Sequence, residues 1–303
     1  MAHDKGEKTR GHIPVLAKEV IEAFDPKPGQ IFIDGTVGQG GHAKIILEHV
    51  VPGGRLFAID RDPENLAIAK EWLRAYENET FFIQDSYLHF KKHVQAQGIS
   101  QVDGILLDLG FSSAHVDNPQ RGFSFQKEGP LDMRYDPKQS LTAKDILATW
   151  TKQELIELFE VYGEETQAQK IVEAIKKHQK IEPIETTTQL ADLISSVIPF
   201  RGKRHPATQV FQALRIAVND ELGQLTQVLP DLVEMLRPGG RLAIITFHSL
   251  EDRIVKQFFK EHHGKELHLV NKHVIKPSFQ EIKQNPRARS AKLRVIERIK
   301  SIL

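Results

Sequence analysis

Acidic side chains close one apolar segment after another in the first 110 residues, and glycines crowd behind the first of them. IFID runs into GTVGQGGH, so Asp34 stands between a buried segment and a turn carrying Gly35, Gly38, Gly40 and Gly41. Glycine tolerates positive φ and lets a ligand approach the backbone, as a strand-to-helix nucleotide turn requires. Asp60 closes the next apolar segment, RLFAID, 26 residues after Asp34, where such folds hydrogen-bond ribose hydroxyls. Asp108 closes a third, after the run ILL, and an acid there is costly unless it is paired or used. A pyrophosphate at this turn would be opposed by the acids, and the spacing is not GxGxxG. A cationic, phosphate-free nucleotide fits better, because carboxylates can meet an amine and a sulfonium. The residues therefore favour S-adenosylmethionine over a nicotinamide dinucleotide.

Other groups could join that site. Gln84, Asp85 and Tyr87 follow a further apolar segment, where an adenine edge and face would lie. They read equally as a capped loop with a buried tyrosine. His248 in FHSLEDR suggests a general base or a metal ligand, yet a strand-end histidine hydrogen-bonded to Glu251 or Asp252 is the better reading. His262 and His263 are adjacent and do not share a helical face, so no metal is expected to be required. Glu164 and Glu165 read as a solvated face or an arginine's partners, and Asp132 and Arg134 as loop-fixing residues near the entrance.

The elements that must hold these residues follow from periodicity. Strands are expected at 30–34, 55–60, 80–85, 102–110 and 241–249, with two more at 266–271 and 292–299. Helices alternate with the early strands, at 42–50 and 64–76, Pro63 sitting where a first helical turn tolerates it. This rhythm specifies an α/β fold, a mostly parallel, doubly wound sheet whose ligands lie at the carboxyl ends of the strands. After Asp108 the rhythm stops. A loop rich in Gly, Pro and Asp at 118–139 precedes helical segments at 142–147, 152–162, 164–179 and 187–198, and one long helix at 209–236 leads into the turn Arg237–Gly240. A crossover needs one helix, so residues 115–208 are expected to form a helical insertion domain, and 1–114 with 209–303 a discontinuous core.

Composition narrows the class. The chain has 303 residues, 40% hydrophobic and 27% charged, the balance of an ordinary globular protein. No apolar run approaches the roughly 18 residues of a membrane span. The polar start MAHDKGEKTRGH has no apolar signal core, so a cytoplasmic protein without membrane attachment is expected. With no cysteine, disulfides, thiolate catalysis and Cys-zinc sites are excluded. Net charge is only +1, but nine Lys/Arg against two acids fall between Asn271 and Lys300. Arg201, Lys203, Arg204 and Arg215 make a second basic cluster. Either cluster alone reads as solvated surface; beside a catalytic site, both point to a polyanion.

The motifs HIPVL, DGTVGQGGH, AIDRDP, DLGFSS, RGFSF, GPLDMR, YGEE, HPAT, FQALRIAVNDEL, FHSLEDR and NPRARSAKLR run in order from about His12 to Glu297. With them the chain resembles the RsmH (MraW) family of bacterial 16S ribosomal RNA cytosine-N4 methyltransferases. The resemblance implies a Rossmann-like methyltransferase sheet with a helical insertion after the fourth strand. It implies S-adenosylmethionine-dependent methylation of the exocyclic N4 of a cytidine in the decoding region of small-subunit ribosomal RNA. It carries cofactor contacts onto Gly40, Gly41, His42, Asp60 and Asp108, and an aromatic contact onto Tyr87, where enterobacterial relatives have Phe. A further contact falls on His115, where Gln is usual. Gln209 stands in HPATQ where the family has an arginine that would face RNA.

A cytosine amino group is a poor nucleophile because its lone pair conjugates with the ring. A site that methylates it needs an oxygen acceptor for the N–H and an apolar clamp for the base. Asp108 is the first candidate for the acceptor, Ser112 and Ser113 are alternatives at the base edge, and Phe111 or Phe247 could pack the ring. Phosphates would meet Arg287, Arg289, Lys292 and Arg294 with Arg201, Lys203, Arg204 and His205. A base inside structured RNA must be splayed into such a pocket at a cost of a few kcal/mol. Two other classes stay open at this level: an NAD(P)-dependent oxidoreductase of the same fold, and a non-catalytic RNA-binding assembly factor. The oligomeric state is also open, a homodimer being allowed.

Overall fold

The computed structural model describes residues 14–199 and 205–299. His12 and the cluster Arg201, Lys203 and Arg204 lie outside them. Seven strands form one sheet: β1 (Ile31–Asp34), β2 (Arg55–Asp60), β3 (Thr80–Gln84), β4 (Val102–Asp108), β5 (Leu236–Thr246), β6 (Leu267–Leu269) and β7 (Lys292–Arg298), in the order β3-β2-β1-β4-β5-β7-β6. β1 to β5 pair in parallel, and β7 runs antiparallel to β5 and to β6. The order reverses between β1 and β4, which makes their carboxyl ends the switch point of a doubly wound sheet.

The chain divides into two compact units, one holding the described residues up to Gly110 and from Pro230 onward, the other Phe111–Leu229. The first contains the sheet with α1 (Ala17–Phe24), α2 (Gly41–Val50), α3 (Pro63–Trp72) and α4 (Phe90–Ala96). Its core is built from inward-facing residues of the parallel strands, Phe32, Leu56, Leu106, Ala243 and Ile245, against Ile46 and Leu47 of α2. Two sequence signals act as expected here. Asp62 caps α3, accepting from the Glu64 N–H at 2.8 Å, and Pro63 takes the first helical position. Gly40 precedes α2 with φ 87°, a left-handed conformation that side chains resist.

The second unit carries α5 (Ser113–Asp117), α6 (Ala143–Thr149), α7 (Lys152–Val161), α8 (Ala168–His178), α9 (Thr187–Val197), α10 (Ala207–Asn219) and the first part of α11 (Glu221–Met235). Thr142, Thr151 and Thr186 each open a helix with a reciprocal capping box, an arrangement worth about 1 kcal/mol per cap. Phe159, Ile171, Ile175, Leu190, Ile194, Val210 and Leu214 fill its own core. After this unit the chain returns to the sheet and adds α12 (Ser249–His262) and α13 (Phe279–Gln284).

Three expectations need correcting. The long helix expected at 209–236 is two helices, broken at Asp220, whose φ of 48° is left-handed. The helix expected from 164 begins at Ala168, because Glu164 is left-handed (φ 53°) and the buried Glu165 accepts from the Gln167 N–H at 2.8 Å. Arg237–Gly240 is not a turn before β5 but a bulge within it: Leu236 pairs with Val102 and Arg241 with Gly104. The Asp103 carboxylate fixes that bulge, accepting from the Ile31 N–H at 2.7 Å while ion-pairing with Arg237.

Candidate active site

The glycine turn is held at the ends of three strands. Gly35 N–H donates to the Leu106 carbonyl at 2.9 Å, and Val37 N–H to the Ile59 carbonyl at 2.9 Å, tying the turn to β4 and β2. A Cβ on Gly35 would come within 2.5 Å of Leu107 Cδ2 and 3.2 Å of the Tyr87 Cβ, so only glycine fits. Thr36 links two of the acids: its N–H donates to Asp34 Oδ1 at 3.1 Å, and its hydroxyl accepts from the Asp108 N–H at 2.6 Å. Asp60 accepts from Gly38 N–H at 2.9 Å and from Asp62 N–H at 2.8 Å. The residues closing β1, β2 and β4 thus surround the turn, Asp34 and Asp60 fixed by backbone N–H groups on their carboxylates and Asp108 only by its own N–H.

Two side chains in this pocket keep polar atoms without hydrogen bonds. His42, at the second position of α2, is only 6% exposed, and its Nε2 has no hydrogen-bond partner. The nearest acidic atom, Asp108 Oδ2, lies 3.6 Å away. Asp108 Oδ1 is buried and unpartnered as well. Buried polar groups are nearly always satisfied, so the pair marks a place for a polar ligand. Asp34 is almost fully buried, and desolvation pushes its pKa up to about 7 against the attraction of His42, with Asp108 and Asp60 adding to the rise. Such an acid can hold its proton or release it to meet a cation. The donor set fits a cationic nucleoside: backbone and side chains at Gly40, Gly41 and His42, and acids at Asp34, Asp60 and Asp108.

The third strand end holds a different arrangement. Asp85 Oδ1 accepts from the Ser86 N–H and meets His89 Nδ1, both at 2.8 Å, while Oδ2 meets Lys92 Nζ and His93 Nε2, also at 2.8 Å. Burial works against ionisation, but these partners hold the carboxyl well below the usual range. Asp85 therefore fastens the loop to α4, which favours the capped loop of the two readings left open. Tyr87 opens a short 3-10 turn, Tyr87–His89, and is half-buried against the glycine turn.

The DLGFSS motif continues into the second unit. Ser112 opens α5, its N–H donating to His115 Nδ1 at 3.1 Å and its hydroxyl lying 3.3 Å from the same nitrogen. His115 is buried and packs on Phe123 at 4.6 Å and Tyr135 at 5.2 Å. Ser113, half-buried, is the first residue of α5. Phe111 stays 41% exposed with the Arg215 guanidinium 4.7 Å over its ring. Arg215 itself is buried and forked onto Glu221, both nitrogen–oxygen distances being 2.9 Å. That overturns its place in a phosphate-binding cluster.

Other assignments shift in the same way. Lys292 and Arg294 both bind Asp252, at 3.0 and 2.8 Å, and hold its carboxyl below the normal range against the cost of burial. Arg287 and Arg289 stay exposed, on the 3-10 turn Pro286–Ser290. Gln209 donates to the carbonyls of Gly163 and Glu164, at 3.1 and 2.8 Å, so it braces the YGEE turn. His248 caps α12 in a reciprocal box with Glu251, which accepts from the Phe247 N–H at 2.8 Å. Its Nε2 lies 3.0 Å from Glu251 Oε1. His205 stacks on Phe125 at 4.6 Å, and its Nδ1 accepts from Ala207 N–H at 3.2 Å.

Thr36 and Asn219 escaped the sequence reading. Asn219 accepts from Tyr135 N–H at 2.9 Å and donates to the carbonyls of Met133 and Arg215 at 2.8 and 2.9 Å. A lone small amide on an apolar helix face was the signal that pointed to it.

A model of the MraW methylase family matches residues 9–299. The ribosomal RNA small subunit methyltransferase H of Thermomicrobium roseum is 46% identical over 305 residues, covering 95% of this chain and 94% of the relative. The protein of the same name from Dehalococcoides mccartyi is 44% identical, covering 95% of this chain and 86% of its own. A solved rRNA methylase from Streptococcus thermophilus superposes with a TM-score of 0.45 at 11% identity, 94% of each chain being covered, too loosely to bear on function. Among the described residues no helix is long and apolar enough to cross a membrane.

Proposed function

The chain belongs to the MraW methylase family, and on that premise we propose that it transfers a methyl group from S-adenosylmethionine to small-subunit ribosomal RNA, at the exocyclic N4 of a cytidine in the decoding region. The observation that carries the reading is the set of carboxylates, Asp34 among them buried, and the unpartnered His42 and Asp108 atoms around the glycine turn. Such a floor repels a pyrophosphate and welcomes a sulfonium and an amine. When bound, the cofactor supplies an electrophilic methyl group.

The chain's own residues do the rest. The backbone at Gly40, Gly41 and His42 cradles the cofactor, Asp60 receives the ribose hydroxyls, and Tyr87 packs on the base. Asp108 faces the reacting end. It accepts an N–H of the cytidine amino group, which localises the nitrogen lone pair, and it holds the proton that the nitrogen sheds. Ser112 and Ser113 are the alternative acceptors, although Ser112 already serves the start of α5. The family contact after DLGFSS falls on His115, a buried ring beside Phe123 and Tyr135. Phe111, exposed and backed by a fixed guanidinium, offers the base a packing surface. Arg287 and Arg289 supply phosphate contacts, and the cytoplasm is where such a substrate is met. The relatives' names support the choice of small-subunit ribosomal RNA, and the choice of N4 rests on the resemblance carried by the eleven ordered motifs.

A fluorescence titration separates this reading from its runner-up. S-adenosylhomocysteine should bind, and Asp60→Ala should weaken it by about tenfold, roughly 1.4 kcal/mol. NADH should not bind. Saturable NADH binding without S-adenosylhomocysteine binding would overturn the assignment.

A further inference from the structure

The His42 side chain is unexplained by a cradle that uses the backbone of the glycine turn. It is 94% buried by its 6% exposure, sits at the head of a ten-residue helix, and aims an unpartnered Nε2 at the Asp108 carboxylate. Two acids face it, Asp34 from the end of β1 and Asp108 from β4, and Asp60 at the end of β2 acts on Asp34. Asp34 and Asp60 have backbone donors of their own, and the Asp108 N–H is taken by Thr36. Nothing else among the described residues hydrogen-bonds Asp108 Oδ1. The carboxylate is fixed at its backbone and loose at its head, with one buried ring beside it.

We propose that His42 is a positioning residue for the reaction: its Nε2–H turns the Asp108 carboxylate toward the acceptor amine and steadies the negative charge that takes up the amine's proton. The proposal rests on the methyl-transfer reading. In that step the acceptor nitrogen supplies the electron pair of the new N–CH3 bond, and the S–CH3 pair stays on sulfur. Nitrogen then carries one proton too many, which passes to an Asp108 oxygen and from there to water. The 3.6 Å separation is longer than a hydrogen bond, and contacts of this kind commonly tighten only once the site is filled. Burial of the His42 ring strengthens the coupling, since the local dielectric is low.

The test compares His42→Leu, which removes the donor, with His42→Gln, whose amide donates from about the same reach. In the full chain acting on small ribosomal subunits, His42→Leu should lower kcat by about 10²-fold and move the acidic limb of the kcat–pH profile up by about one unit. His42→Gln should recover kcat to within about tenfold of wild type. A wild-type profile in His42→Leu, or a Gln variant no better than Leu, overturns the proposal. A separate readout needs no activity: the imidazole 15N spectrum of the free protein, in which Asp108→Asn should shift the His42 Nε2 signal. An unmoved signal also overturns it. If wild type itself transfers no methyl to RNA, the functional reading fails instead, and the spectrum still judges the pair.

Discussion

The two units use their polar residues in opposite ways. In the sheet unit, five buried side-chain atoms lack hydrogen bonds among the described residues: His42 Nε2, Asp103 Oδ1, Asp108 Oδ1, His248 Nε2 and Asn271 Oδ1. Ion partners meet two of them, Asp103 through Arg237 and His248 through Glu251. His42, Asp108 and Asn271 remain, and the first two stand side by side at the switch point. In the helical unit no such atom occurs among the described residues. Arg121 donates to the carbonyls of Arg134 and Tyr135, Arg134 forks onto Asp132, Arg215 onto Glu221, and Asn219 makes three hydrogen bonds. Equally conspicuous motifs therefore mean different things. GPLDMR and VNDEL are joints that hold a loop to a helix, whereas DGTVGQGGH and the DL of DLGFSS leave buried polar atoms for something else to satisfy.

The contrast can be broken by substitution. The largest effect is expected in the sheet unit. Asp108→Asn should cut methyl transfer by about 10²–10⁴-fold while leaving unfolding in urea nearly unchanged. Full activity with intact cofactor affinity would remove Asp108 as acceptor. In the helical unit the order inverts. Asn219→Ala strands the Tyr135 N–H and two carbonyls in the interior, so stability should fall by about 2–4 kcal/mol, read from urea unfolding.

Asp34 gives an intermediate effect with a definite sign. Its pKa is raised in the folded state to about 7 from an ordinary 3.8. The native state therefore binds more protons than the unfolded chain between those values, and stability falls as pH rises through that window. Unfolding at pH 5 and pH 8 should show wild type losing about 1–3 kcal/mol, and Asp34→Asn losing less. The smallest effect belongs to the exposed turn. Arg287→Glu with Arg289→Glu should weaken RNA binding and reduce its salt dependence by about one counterion per arginine, with S-adenosylhomocysteine affinity unchanged. Equal loss of both would show that the turn is structural.

Much of the sheet was legible because strand signals are local. Six of the seven apolar runs end within a residue or two of the observed strands; the seventh overshoots β5 by three residues into the start of α12, and β5 absorbs Arg237–Gly240 at its other end. There a Pro-Gly-Gly string reads as a turn, and only its pairing across Asp103 reveals a bulge. The break at Asp220 was hidden for a related reason. Apolar spacing continues from α10 into α11, so periodicity cannot register one left-handed residue. The glycine turn and the acids that end the strands around it were legible, since residue type and strand position suffice for that. Which charges are spent was not. Arg215, Lys292, Arg294 and Asp85 all look available in sequence, and each is consumed by a partner that only the fold brings near.

The central claim is a methyl transfer to one cytidine amino group, served by Asp108. Small subunits from a strain lacking this protein, incubated with it and labelled S-adenosylmethionine, can be digested and mapped by mass spectrometry. The account predicts one labelled cytidine in the decoding region, with the methyl on N4, lost with Asp108→Asn. No label in RNA, or a label on a ring carbon or a ribose oxygen, would contradict it.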